Sequence, residues 1–66
     1  MHLTPRERDV LCAFARGENP KVVADRLAVN SKTINNHLTQ LKEKLGLQEP
    51  AQLVTYAIKH GYVETP

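Results

Sequence analysis

The segment from Val29 to Gly46 constrains the fold most, because its apolar residues recur with the period of an α-helix. Four of them are spaced i, i+4, i+7 and i+11 and form one narrow stripe: Ile34, Leu38, Leu41 and Leu45. At about 100° per residue, the opposite side is polar and comprises Lys32, Asn36, Thr39 and Glu43, with Asn35 and Gln40 beside them. Amides and lysines are side chains that hydrogen-bond base edges. The segment alone is equally typical of an ordinary amphipathic surface helix, so the flanking segments of the chain decide between these two interpretations.

The sequence predicts three further helices, and capping signals mark the start of the first two of them. A T-x-x-E capping box begins at Thr4, with Pro5 at the first helical position, and Asn19 followed by Pro20 begins the second helix. The third helix is capped by Asn30 or Ser31 and ends at Gly46. The predicted helices cover about 5–16, 20–27, 31–45 and 50–60, and no strand signal interrupts them. The sequence therefore predicts an all-α fold, a single four-helix domain over residues 1–66, whose last helix packs through Leu53, Val54, Ala57 and Ile58.

The second and third predicted helices are joined by residues 28–30 alone, which is enough for a turn and nothing more. Two helices joined by a short turn, with a polar face on the second, form a helix-turn-helix. Lys21, near the amino end of the second helix, is a candidate for contact with a DNA phosphate. A solvated lysine without a partner explains this residue equally well.

Composition excludes several other functions. The formal net charge of +2 permits nucleic-acid binding without establishing it. The single cysteine, Cys12, cannot form an internal disulfide, and we expect a packed thiol in a reduced compartment. One cysteine and three scattered histidines do not form a metal-ligand cluster, so we expect no metal, no cofactor and no enzyme activity. No apolar run reaches membrane-spanning length, which predicts a cytoplasmic protein without a membrane partner.

Two ordered sets of residues resemble one family. The first is Leu3-Thr4-x-Arg6-Glu7-x-x-Val10-Leu11, followed by Gly17, Lys21, Ala24 and Leu27. The second is Thr33-Ile34-x-Asn36-His37-Leu38, followed by Leu41 and Lys44-Leu45-Gly46-Leu47. This order resembles the LuxR/FixJ-type helix-turn-helix domain, the DNA-binding output module of bacterial response regulators and quorum-sensing regulators. The resemblance implies four helices, with the third in the major groove and the fourth able to form a dimer contact.

The resemblance also implies roles for individual residues. Base contacts are implied for Lys32, Asn35, Asn36 and Thr39, and DNA backbone contacts for Lys21, Thr33, His37 and Lys44. Helical geometry places Thr33 and His37 on one flank of the polar face and Asn35 and Lys42 on the other, so Lys42 joins the predicted backbone contacts and Asn35 stays open between base and backbone. The face of the fourth helix that would pair in a dimer is mostly uncharged and comprises Gln52, Thr55, Tyr56 and Lys59.

Three positions depart from the family's pattern, and one of them is Asn35, which stands where a lysine is frequent. Ala28 stands where a turn glycine is common, so we expect strain in that turn, and Pro50 stands where an arginine is common. Two other interpretations are a helical protein-interaction module and a promoter-binding fragment similar to part of a sigma factor. An interaction module should expose an apolar patch on the third helix, whereas the outer face is polar throughout, which favours DNA.

We therefore expect sequence-specific binding of double-stranded DNA by a transcriptional regulator. A homodimer is expected to form on DNA, and RNA polymerase is a further candidate partner. A stand-alone regulator and the output end of a larger one both fit the sequence.

Overall fold

The computed structural model describes residues 3–64 and contains four helices: α1 (Pro5–Ala15), α2 (Pro20–Arg26), α3 (Ser31–Leu45) and α4 (Pro50–Lys59). The predicted all-α, four-helix fold class is confirmed, and the described residues form no strand. Three of the predicted helices extend one residue too far, because Arg16, Leu27 and His60 are C-cap residues.

The helix starts follow from the capping residues. The Thr4 hydroxyl accepts a hydrogen bond from the Glu7 amide at 3.1 Å, and the Glu7 carboxylate accepts one from the Thr4 amide at 2.8 Å. The Asn19 side chain caps α2 by accepting from an amide in its first turn at 2.8 Å. Asn30, rather than Ser31, caps α3, since its side chain accepts a hydrogen bond from the third residue of that helix at 2.9 Å.

One small core lies among all four helices. Its largest fully buried side chains come from α1, α3 and α4 and are Val10, Leu11, Leu41 and Leu53. Ile34 is buried, and Leu38 and Leu45 pack against the core partly exposed, so the predicted stripe of α3 does face inward. The prediction that Ile58 packs in the core is wrong, because 37% of this residue is exposed. The core side of α4 is made by Leu53 and Ala57, and the flank that carries Ile58 is left uncovered.

The turn between α2 and α3 is strained, as predicted. Ala28 has φ of 59°, and it is the one residue other than glycine in the described chain with a positive φ. This conformation places Cβ too close to the following carbonyl and costs an alanine about 1–2 kcal/mol. The next residue, Val29, offsets part of that cost because it packs against the core and donates its amide to the Ala24 carbonyl at 2.9 Å.

The segment after α4 folds back onto α1. The Tyr62 amide donates to the Ala57 carbonyl at 2.8 Å, and Tyr62 and Val63 pack against the core. The Cys12 thiol donates to the Tyr62 carbonyl at 3.5 Å, and Cys12 is buried. The predicted packed thiol is therefore confirmed. None of the helices among residues 3–64 is long and apolar enough to cross a membrane.

Candidate nucleic-acid interface

The polar side of α3 faces away from the core. We call this surface the outer face; its exposed members are Lys32, Asn35, Asn36, Thr39, Gln40 and Glu43. Ile34 and Leu41 hold the helix from the other side, since both are buried. Residues 32 and 39 are about 10 Å apart along the helix axis, which matches a major groove about 12 Å wide.

The predicted base contacts differ in what their side chains offer. No hydrogen bond within the described chain engages the side chains of Lys32, Asn35 or Asn36, so their donors and acceptors are free. Thr39 is different, because its hydroxyl donates to the Asn35 carbonyl at 3.1 Å. Thr39 therefore presents its methyl group and its oxygen lone pairs, which suit a thymine methyl or a base amine better than a base acceptor.

The predicted backbone contacts lie at both sides of the outer face. Lys21 is exposed and borders a depression that Asn30 and Ser31 also line, so the amino end of α2 lies beside the start of α3. Lys42 is half-buried and borders a second depression together with Asn35. This second depression also contains the first residues of α2 and α4, an arrangement that the sequence does not show.

Thr33 and His37 are less available than the sequence suggests. The Thr33 hydroxyl donates to the Asn30 side chain at 3.1 Å, so its hydrogen is already used in the helix cap. A phosphate oxygen accepts hydrogen bonds and needs a donor, which this hydroxyl supplies only by leaving Asn30. His37 is half-buried, and its Nδ1 atom is buried without a hydrogen-bond partner in the described chain.

Lys44 is engaged by a carboxylate of α1. Its Nζ atom lies 2.8 Å from Oε1 of Glu7, the same oxygen that accepts the Thr4 amide. The Lys44 hydrogen bond and then the Thr4 amide lower the pKa of Glu7 below its ordinary value. The ion pair joins the last turn of α3 to the first turn of α1, and its side chains are only 30% and 16% exposed. Lys44 therefore fixes the position of α3 as well as carrying charge.

The predicted dimer face of α4 surrounds one shallow depression of about 270 Å³. It is lined by Leu47, Gln52, Thr55, Tyr56, Lys59 and His60. The Gln52 side chain accepts the amides of residues 48 and 49 at 2.7 and 2.8 Å and thereby caps α4. Tyr56 is half-buried and stacks on His60 with 4.1 Å between ring centroids. Gln52 and Tyr56 thus have roles within the monomer. Thr55 and Lys59 are exposed, and the Thr55 hydroxyl donates to the Ala51 carbonyl at 3.4 Å.

The prediction omits two outer-face residues from the contacts. Gln40 is exposed and its amide is free within the described chain, as its place on the helical wheel allows. Glu43 is exposed near the carboxyl end of α3, where its charge would repel phosphates. Helical periodicity is the signal that finds both, and Glu43 favours docking through the amino-terminal part of α3.

Among residues 3–64, no three histidine, cysteine, aspartate or glutamate side chains are grouped so that they could hold a metal ion. The candidate interface comprises polar side chains of α3 together with Lys21 of α2.

Comparison with known proteins identifies the family. The family described as bacterial regulatory proteins, luxR family, matches residues 1–57. The chain belongs to this family. The predicted resemblance is thereby confirmed, and so is the predicted function as a DNA-binding part of transcriptional regulation.

Several curated proteins share this luxR-family domain. The chain is 44% identical over 61 residues to the transcriptional regulatory protein MctR of Rhizobium johnstonii, a match that covers 92% of this chain and 28% of MctR. It is 39% identical over 62 residues to the oxygen regulatory protein NreC of Staphylococcus aureus, covering 94% of this chain and 29% of NreC. The luxR-family chain thus spans less than a third of the length of these relatives.

A solved structure has the same fold. The structure described as VqmA bound to DPO superposes with a TM-score of 0.86 at 27% sequence identity. The match covers all of this chain and 33% of VqmA. The four-helix luxR-family arrangement thus occurs within a longer protein of known structure.

Proposed function

We propose that this chain binds a specific sequence of double-stranded DNA by inserting the amino-terminal part of α3 into the major groove. The observation that carries the proposal is the exposed trio Lys32, Asn35 and Asn36, whose polar groups have no partner within the described chain. An asparagine amide matches the paired donor and acceptor of adenine, and a lysine matches the acceptors of guanine. The buried residues Ile34 and Leu41 behind the trio hold it at the surface.

The lysines proposed for contact with the DNA backbone differ in whether a carboxylate of the chain already engages them. Lys21 and Lys42 flank the outer face, and no carboxylate within the described chain lies at salt-bridge distance from either. These two free lysines at backbone positions predict a log-log salt slope of about −2 per monomer. Because Glu7 engages the Lys44 ammonium, we assign Lys44 chiefly to positioning α3 and expect it to add least to this slope. Thr33 and His37 remain proposed as neighbours of the backbone.

Pairing on DNA through α4 is part of the proposal. The depression beside Thr55 and Lys59 is shallow, and stable dimers bury on the order of 1,000 Å² or more. We therefore expect a monomer in free solution that pairs on two half-sites about one helical turn apart. Contact with RNA polymerase, a cytoplasmic location and the absence of catalysis remain predictions for the whole protein; the family's role in regulation supports them.

Selection of bound sequences from a random pool of duplex DNA tests this function. We expect a motif with two half-sites, and enrichment of no sequence would contradict sequence-specific binding. Asn36→Ala should then lower affinity for the selected site by about 1–3 kcal/mol and relax preference at one base position, without changing the salt slope. Gln48→Ala is the matched control, since Gln48 is an exposed amide in the loop after α3. A folded Asn36→Ala variant with full sequence preference would contradict the docking of α3.

A further inference from the structure

The arginines of this protein all lie in its amino-terminal part. All four arginines fall within residues 6–26: Arg6, Arg8, Arg16 and Arg26. The outer face of α3 has no arginine, and its basic residue is a lysine. Arginine is the residue best suited to hold carboxylates in a fixed geometry, because its planar guanidinium offers two parallel donors. Exposed arginines on α1 and α2 are therefore able to hold a carboxylate of a partner.

A groove of about 470 Å³ lies between α1 and α2 on the arginine side. It is lined by Arg8, Asp9, Cys12, Arg16, Arg26 and Leu27, and we call it the arginine groove. None of these residues belongs to α3. The groove and the outer face therefore share no residue.

The guanidinium groups at this groove have unused donors. Arg16 and Arg26 both bind the carboxylate of Glu18, so one acid holds two arginines together. Each guanidinium has five N–H donors, so the two groups together have ten, and one shared carboxylate accepts hydrogen bonds from a minority of them. Arg8 has no carboxylate at salt-bridge distance within the described chain, and its guanidinium lies 5.8 Å from the centre of the Tyr62 ring.

The groove has a defined pattern of charge. Arg16 and Arg26 form one positive end of the groove. Arg8, which lies on α1 eight residues before Arg16, forms the other. These ends are about 12 Å apart along the helix axis, at 1.5 Å per residue. Cys12, which is buried and stands midway between Arg8 and Arg16 in the chain, and Leu27, which is half-buried, supply the apolar part of the groove. Counting Asp9 in the lining and Glu18 beside it, three arginines outnumber two acids, so the groove keeps a positive charge.

We propose that the arginine groove binds an acidic helical segment of a partner protein. The segment would present two carboxylates about two helical turns apart, with an aliphatic side chain between them that covers Leu27. A nucleic-acid backbone fits less well, because it carries no aliphatic group for the apolar part of the groove. This proposal does not rest on DNA binding by α3, since the two surfaces share no residue.

The test is a titration of the full chain, labelled with ¹⁵N, with a synthetic alanine-rich helical peptide. The peptide carries glutamates at positions i and i+8 and a leucine at i+4, and its matched control carries glutamines instead of the glutamates. We expect amide shifts centred on residues 8–16 and 26–27 and binding about tenfold weaker for the glutamine peptide. Absence of shifts, or equal binding of the two peptides, would overturn the proposal. The peptide control leaves the protein unchanged, so this result does not depend on the folding of any variant.

Protein variants then locate the surface. Arg16→Gln and Arg26→Gln should each weaken the glutamate peptide about fivefold, the upper range for an exposed ion pair. Lys32→Gln removes the same charge from α3 and should leave binding unchanged; an equal loss would reduce the effect to general attraction between opposite charges. A duplex DNA arm uses the same readout. DNA that shifts the arginine groove as strongly as α3 would make the groove a nucleic-acid contact and overturn the protein-partner proposal.

Discussion

We expect the ion pair between Glu7 and Lys44 to stabilise the fold. We expect its removal to leave the salt dependence of DNA binding unchanged. The perturbations are Glu7→Gln, Lys44→Gln and the double variant. Glutamine at position 7 can still accept the Thr4 amide, so Glu7→Gln removes charge while keeping the helix cap. The pair is half-buried at 2.8 Å, so its coupling energy should lie between that of exposed pairs and that of buried charge-assisted bonds, at about 1 kcal/mol.

The assay is thermal unfolding followed by far-ultraviolet circular dichroism. In a domain of this size, 1 kcal/mol corresponds to a change in Tm of about 4–8 °C. Each single variant should lose about that much, and the double variant should lose little more than either single one, since both remove the same interaction. Additive losses in the double variant would refute an energetic link between α1 and α3.

The same pair makes stability depend on pH. Lys44 holds the pKa of Glu7 below its ordinary value of 4.5 in the folded state. A lowered carboxyl pKa contributes stability that is complete above that ordinary value and is lost as pH falls through the folded-state pKa. The difference in the free energy of unfolding between the wild-type chain and Glu7→Gln should thus be constant near neutral pH and shrink below about pH 4.5.

The salt dependence of DNA binding then distinguishes a positioning role of Lys44 from contact with a phosphate. Lys44→Gln should leave the log-log salt slope unchanged, because Glu7 already engages the ammonium. If instead Tm is unchanged and the slope becomes shallower by about one, Lys44 binds a phosphate as the sequence alone suggests, and the positioning argument is wrong.

Further predictions concern the turn between α2 and α3, the lysine near the start of α2 and the predicted dimer face of α4. Ala28→Gly should raise the free energy of unfolding by about 0.5 kcal/mol, because relief of the left-handed strain exceeds the added freedom of the unfolded chain. Ala51→Gly, at an exposed position in the first turn of α4, should lower it by about 0.5 kcal/mol, and thermal unfolding of both variants checks the sign. Lys21→Gln should make the salt slope of DNA binding shallower by about one, and an unchanged slope would leave Lys21 a solvated lysine. Thr55→Glu should weaken binding to a two-half-site operator much more than to a single half-site; we choose Thr55 because Tyr56 is half-buried. Equal losses on the two sites would argue against pairing through α4.

Much of the fold follows from local signals in the sequence. The capping residues Thr4, Asn19 and Asn30 set the starts of three helices because each cap bonds amides within three residues. The stripe of α3 also follows from the sequence, since the helical period alone determines which residues share a face. For the same reason the outer face, with Lys32 and Asn36 at its surface, is predictable before any packing is known.

Contacts between distant residues are decided by the tertiary structure alone. The sequence shows Lys44 as a cation at the end of a helix, whereas packing of α1 against α3 brings Glu7, 37 residues earlier, within 2.8 Å of it. Packing also exposes Ile58 and gathers three arginines around the groove between α1 and α2. Helical periodicity fixes the direction of a side chain around its own axis, but the neighbour it meets depends on how the helices are arranged around the core.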